Sequence, residues 1–156
     1  MIRIVTGDIN SGKTTKMYKL YQQFGGDGFI SIKRMNIQTV HSYEILRLSK
    51  GQSLVLALKE NNNESKETIA CQIGPYQFFE SAIDKVESIM KDLIDKKVSP
   101  LFLDEIGPLE LMGKCFNNVF KIMIKSNLDL IISVRKTSLE AVINVFDLKE
   151  VEIIEV

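Results

Sequence analysis

The sequence predicts an α/β fold of three layers: a mostly parallel central sheet with helices on both faces and antiparallel hairpins added to it. Three observations predict it. Apolar, β-branched runs alternate with stretches of helical period, the pattern of βαβ units. The first two changes of period are marked by glycine, at Gly7 and at Gly25–Gly28. Between residues 41 and 73 the alternation stops, and short strand-like runs follow one another around turn signals.

Taken in order, Ile2–Thr6 is an apolar run cut off at Gly7, hence a strand. Residues Ser11–Phe24 place Met17, Leu20, Tyr21 and Phe24 on one stripe of a helix, and glycine closes it. Phe29–Lys33 reads as a second strand. His41–Leu48 and Ser53–Leu58 flank Ser49-Lys50-Gly51-Gln52, a hairpin. Residues 59–66 (KENNNESK) read as a polar exposed turn, and Thr68–Ile73 as one more strand. Helical period returns over residues 76–97 through Phe79, Ile83, Val86, Met90, Leu93 and Ile94. Leu101–Leu103 is a buried strand ending in Asp104-Glu105. Phe116, Val119, Phe120 and Met123 mark a helix, Leu128–Val134 a strand. Leu139, Val142, Ile143 and Phe146 mark the last helix, and Val151–Val156 the last strand.

The chain has 156 residues, the length of one domain. It is 45% hydrophobic and 26% charged, with 20 basic against 20 acidic residues. That balance provides no general basic field for a nucleic-acid backbone. No apolar run approaches the ~18–20 residues that span a bilayer, and the first residues read as a strand rather than a signal peptide. Cys71 and Cys115 lack zinc-site spacing. They read as reduced, semi-buried residues of a cytoplasmic protein.

Residues Gly7–Thr14 read GDINSGKT, the spacing G-x-x-x-x-G-K-[ST], between a predicted strand and a predicted helix. Glycines at Gly7 and Gly12 let the N–H groups of Asp8, Ile9, Asn10 and Ser11 curl around phosphate oxygens. The helix N-terminus adds partial positive charge. In such a phosphate loop Lys13 reaches the β- and γ-phosphates, and the Thr14 hydroxyl binds Mg²⁺.

The second half of this machinery is the acidic end of Leu101–Leu103. In open α/β sheets, ligands sit at the carboxyl ends of the strands. Asp104 is the candidate partner of Mg²⁺ or its water shell, and Glu105 the candidate base that prepares a water for attack on the γ-phosphate. The two acids are adjacent, so a continuing strand would point them to opposite faces. The turn after the strand is expected to swing Glu105 towards the phosphate.

At this point the chain resembles the small THEP-type nucleoside-triphosphatases, also called cancer-related nucleoside-triphosphatases. DEIGPLEL at residues 104–111 resembles the signature after their acidic strand. Gly28-Phe29 is similar to the Gly-Phe opening their second strand, and Gly74-Pro75-Tyr76 to their Gly-x-Tyr before the long helix. Leu128–Arg135 resembles their penultimate strand. The chain departs from them at Pro108, often Lys there, and at Leu109, often Met. It also has no acid in Ile30-Ser31-Ile32-Lys33. The resemblance implies a RecA-like, additional-strand P-loop fold and Mg²⁺-dependent hydrolysis of nucleoside triphosphates (ATP, GTP, CTP, UTP/TTP) with broad base tolerance. It also implies nucleotide contacts along Gly7–Thr15, adding Thr15, and along Asp104, Glu105, Ile106 and Gly107.

Arg135, just past a central strand, is either a cis arginine for the γ-phosphate or a solvated charge. Ser133 is either a polar sensor or a core hydroxyl. Glu110 either braces the site or, as favoured, caps a helix beginning near Leu111, and His41 reads as a surface or packing residue. The leading function is triphosphate hydrolysis. A small-molecule kinase is the first alternative, but the four arginines Arg3, Arg34, Arg47 and Arg135 form no phosphate-clamping lid. A nucleotide-dependent switch or cofactor-assembly adaptor is the second. No N-K-x-D motif reads guanine, and no protein partner is indicated.

Overall fold

The structure is a computed structural model and describes residues 1–36, 39–60 and 67–156. The polar turn expected over 59–66 therefore falls mostly outside the described residues. Strand β1 (Ile2–Gly7) leads through a loop into helix α1 (Lys13–Phe24). Then come β2 (Asp27–Asn36), β3 (Thr39–Arg47), β4 (Gln52–Lys59), β5 (Ile69–Ile73) and β6 (Tyr76–Phe79). Helix α2 (Glu80–Asp95), β7 (Leu101–Leu103), α3 (Pro108–Leu111) and α4 (Asn117–Lys125) follow. Strand β8 (Leu130–Arg135), a 3-10 turn at Lys136–Ser138, α5 (Leu139–Val145) and β9 (Val151–Glu155) complete the order.

The described strands form one sheet in the order β5-β6-β4-β3-β2-β7-β8-β1-β9. Its second half, β2-β7-β8-β1-β9, is parallel throughout. Its first half is antiparallel, built from the β2–β3, β3–β4, β4–β6 and β5–β6 pairs. Strand β8 lies between β1 and β7, the additional strand that separates the phosphate loop from the acidic strand end.

The parallel strands are apolar on both faces because helices cover both. On one face α1 presents Met17 and Leu20 to Val5, Ile30, Phe102 and Ile131. On the other, α2, α4 and α5 bury Val86, Met90, Phe120, Met123 and Val142 against Ile4, Phe29, Leu103 and Ile132. Where β2 and β7 run side by side they come close. A Cβ on Gly28, whose φ is +143°, would lie 2.1 Å from the Phe102 carbonyl oxygen, so only glycine fits there.

Some element bounds differ from expectation. The helical period read from residue 76 belongs to two elements, since Tyr76–Phe79 is a strand and the helix starts at Glu80. Phe78 pairs with Ala57 and with Cys71, and backbone pairing to β4 and β5 outweighs local period. The helix expected from Ser11 starts at Lys13, because Gly12 at φ 97° ends the loop in the left-handed region.

Asp27 fastens the hairpins to the parallel strands. Its side chain is 5% exposed and pairs with Arg47 at 3.0 Å. It also accepts from Ser49 Oγ at 2.5 Å, Ser49 N at 3.0 Å and Gly28 N at 2.8 Å. Burial alone would push the carboxyl up, but these hydrogen bonds prevail and hold it below its ordinary value.

Candidate active site

The carboxyl ends of β1, β7 and β8 meet at one edge of the sheet, and two cavities open there. The smaller, of about 310 Å³, lies over the phosphate loop and is lined by Gly12, Lys13, Thr14, Thr15, Asp104 and Glu105 among others. The larger, of about 370 Å³, continues from it beneath β3 and β6.

The loop residues fall where the motif requires. Gly7 ends β1, and a Cβ there would lie 2.4 Å from Ser11 Oγ and 2.7 Å from the Val156 carbonyl oxygen. Asn10 (φ 60°) and Gly12 (φ 97°) are both left-handed, which curls the loop. Ile9 projects outward, 61% exposed. Ser11 Oγ is buried with no partner among the described residues, a polar atom held inside the loop. Lys13 Nζ donates to the carbonyls of Asp8 at 2.6 Å and Gly7 at 3.3 Å. Partial burial, then the nearby Arg135, lower the Lys13 pKa.

Asp104 is 1% exposed, and both its oxygens are used. Oδ2 accepts from Thr14 Oγ1 at 2.6 Å and from Ser31 N at 2.9 Å. Oδ1 accepts from the Ser133 hydroxyl. That hydroxyl in turn accepts from Glu105 N at 2.8 Å. One hydroxyl on β8 thus ties both acids to the neighbouring strand, so Ser133 acts on the acids rather than merely filling the core.

Glu105 does not continue the strand. Its φ of 61° is left-handed, an uncommon conformation for a residue with a side chain. The turn swings its carboxylate out to where both cavities meet, with 37% of the side chain exposed and Lys33 Nζ 3.9 Å away. Protein otherwise hems the group in. This burial, reinforced by Asp104, raises its pKa, while Lys33, Arg135 and Lys13 oppose the rise. A carboxylate pushed towards neutrality in a cleft is the usual form of a general base.

Two of the four residues expected to contact nucleotide after the strand stand apart from the phosphate loop. Ile106 and Gly107 line only the larger cavity. Their N–H groups are taken, Ile106 N by Ser133 O at 2.9 Å and Gly107 N by Glu110 Oε1 at 2.8 Å. Glu110 caps a helix that starts at Pro108 rather than near Leu111, and it also accepts from Phe116 N at 3.1 Å. Burial pushes its carboxyl up despite these bonds. Arg135 pairs with Gly7 in the β1–β8 register and faces Lys13 and Glu105, with its side chain largely exposed. Lys33, Ser31 and Tyr43 were missed by sequence. Each comes from the hairpin half of the sheet and carries no local motif.

Thr14 Oγ1 and Asp104 Oδ2 supply two hard oxygens within hydrogen-bond reach of each other, a donor set suited to Mg²⁺. Among the described residues no cluster of three or more His, Cys, Asp or Glu could cage a metal. Among the described residues no helix is long and apolar enough to cross a membrane.

Comparison with known proteins agrees with this fold. A nucleoside-triphosphatase THEP1 from Methanothermobacter thermautotrophicus is 26% identical over 147 residues, covering 89% of this chain and 79% of the relative. The crystal structure of THEP1 from Aquifex aeolicus superposes with a TM-score of 0.68 at 20% identity, covering 99% of this chain and 89% of that one. The solution structure of a human cancer-related nucleoside triphosphatase gives 0.69 at 17%, covering 98% and 87%. Both structures share the fold. The model of the NTPase family (NTPase_1) matches residues 3–156, nearly the whole chain from β1 to its last residue, and by that match the chain belongs to the NTPase family.

Proposed function

We propose that residues 1–156 act as one domain that hydrolyses nucleoside 5'-triphosphates to diphosphate and phosphate, with Mg²⁺ and little selection of the base. The observation that carries the reading is the 2.6 Å bond from Thr14 to Asp104, which joins the phosphate loop to the acidic strand end with Glu105 beside it. Loop N–H groups and the start of α1 receive the phosphates, and Lys13 exchanges its carbonyl partners for β- and γ-phosphate oxygens. Thr14 and Asp104 would hold Mg²⁺, which would draw charge from those oxygens. Glu105 orients a water and accepts its proton as the water oxygen bonds to the γ-phosphorus, while the bond from the γ-phosphorus to the bridging oxygen breaks and the nucleoside diphosphate leaves with the electron pair. Arg135 meets charge growing on the γ-phosphate.

Broad base tolerance is supported by chemistry: the roles assigned to Lys13, Thr14, Asp104, Glu105 and Arg135 address phosphate, metal or the attacking water, and the sequence carries no base-reading motif. The test offers ATP, GTP, CTP and UTP with Mg²⁺ and measures phosphate and diphosphate. Comparable turnover of all four, lost in Lys13→Ala, is the expected result. A preference above ~100-fold, about 2.7 kcal/mol, rejects base tolerance. Unchanged turnover in Lys13→Ala rejects the phosphate-loop assignment.

A further inference from the structure

We propose that the larger cavity binds a second molecule, a neutral ring compound carrying a primary hydroxyl, and that the γ-phosphoryl group is transferred to that hydroxyl. The inference rests on the hydrolytic reading of Lys13 and Glu105 and extends it to a second substrate.

The position of the cavity comes first. A phosphate loop places the inner phosphates over the start of its helix and the γ-phosphate beside its lysine and the acidic strand end. Gly12, Thr14 and Thr15 line only the smaller cavity. Lys13, Lys33, Asp104 and Glu105 line both. The larger cavity therefore meets the nucleotide at its reacting end, not at its base. At about 370 Å³ it lies within the ordinary size range of small-ligand sites.

Its walls set the class of ligand. Tyr43 lies nearly parallel to Phe78, with ring centroids 6.4 Å apart and 19° between planes. Tyr76 stands edge-on to Tyr43 at 5.1 Å and is fixed by its own hydroxyl, which donates to the Val40 carbonyl at 2.8 Å. Preset aromatic faces favour a flat ring. The charged side chains of the lining are few. Lys13, Lys33, Asp104, Glu105 and Arg135 gather at the phosphate end, and the carboxylate of Glu110 is closed off by Gly107 N and Phe116 N. Among the described residues a phosphorylated acceptor would find no cation of its own deep in the cavity, which favours a neutral acceptor. This removes the objection that the chain has no arginine lid. The Glu105 carboxylate, partly exposed where the cavities meet, takes the proton.

The step balances. The acceptor oxygen bonds to the γ-phosphorus as its proton passes to Glu105. The bond from the γ-phosphorus to the bridging oxygen breaks, and the nucleoside diphosphate leaves with the electron pair. The products are a phosphomonoester and a nucleoside diphosphate, and nothing is oxidised or reduced. Water in the acceptor's place gives hydrolysis.

The test uses benzyl alcohol, 3-pyridylmethanol and thymidine as probes. The chain has no Trp, so tyrosine fluorescence reports ring binding near Tyr43 and Tyr76. With MgATP, mass spectrometry and phosphate release give the ratio of phosphomonoester to free phosphate. We expect at least one probe to quench the fluorescence saturably and yield ester. We expect that ratio to fall at least tenfold in Ile73→Trp, which fills the cavity from an edge strand, with Leu109→Trp as a second filling variant. Binding of no probe, binding without ester, or an ester ratio unmoved in both variants overturns the inference. In each case phosphate release that still depends on Lys13 leaves the hydrolytic reading standing, whereas release independent of Lys13 removes both.

Discussion

The Ser133 hydroxyl donates to Asp104 Oδ1 while accepting the N–H of Glu105 at 2.8 Å. One side chain on β8 therefore sets the position of both acids on the strand beside it. Ser133→Ala leaves a buried carboxylate oxygen and a backbone N–H without this partner. We expect a loss of about 1–3 kcal/mol of stability, read by urea unfolding. We also expect single-turnover hydrolysis to fall more than nucleotide affinity does. Equal stability and rate would show that the acids hold their places unaided.

Glu105→Gln separates binding from chemistry. The phosphate loop, Thr14 and Asp104 are untouched, so MgATP should bind with near-normal affinity. Loss of a general base typically costs ~10²–10⁴ in rate, and we expect hydrolysis at least ~100-fold slower. The raised pKa also has a sign in stability. The folded state favours protonated Glu105, so the wild type gives up stability as pH rises through the folded pKa, above the ordinary 4.5. Glu105→Gln should therefore melt higher than wild type at pH 8 and lose that advantage near pH 4. A pH-independent difference would place the effect elsewhere.

Lys33 tunes the same group. Its ammonium, 3.9 Å from Glu105, favours the ionised carboxylate. Lys33→Met should move the acidic limb of the pH–rate profile to higher pH, with a smaller change in rate at high pH, where Glu105 is ionised in both proteins. An unmoved limb would mean that solvent screens the pair.

Asp27 carries the opposite dependence. Its folded pKa lies below 3.8, so its contribution is complete above that value and is lost as pH falls through the folded pKa. At pH 7 we expect Asp27→Asn to cost about 1.5–3 kcal/mol, the scale of hydrogen bonds to a charged group. Denaturation from pH 6 down to pH 2 should show the gap closing only below about pH 4. A constant gap would assign the loss to packing.

Legibility in the sequence followed the distance over which a residue's role is decided. The phosphate loop and the Leu101–Leu103 strand with its acids were readable because each is a contiguous segment in its own local context. Strand β6 was not, because Phe79 falls in register with Ile83 and Val86 as one helical stripe, and only pairing with β4 and β5 breaks that register. Lys33 reaches Glu105 through the β2–β7 neighbourhood, which no local pattern encodes. Asp27 and Arg47 likewise meet only once the hairpin has folded back. The absence of an acid in Ile30-Ser31-Ile32-Lys33 was visible, but not that Lys33 would face the base.

The placement of β1 between β8 and β9 bears on how the chain folds. Ile2 pairs with Leu130 on one side and Val151 on the other, and the Thr6 carbonyl accepts from Val156 N at 2.9 Å. The strand that carries the phosphate loop therefore pairs on both sides with strands far from it in sequence. Such distant pairings form slowly. Until β8 and β9 emerge, β1 has two open edges, the kind of surface that invites wrong partners and chaperones. A nascent chain stalled before β9 should therefore be unable to retain nucleotide, because the strand that carries the phosphate loop still lacks one of its two partners.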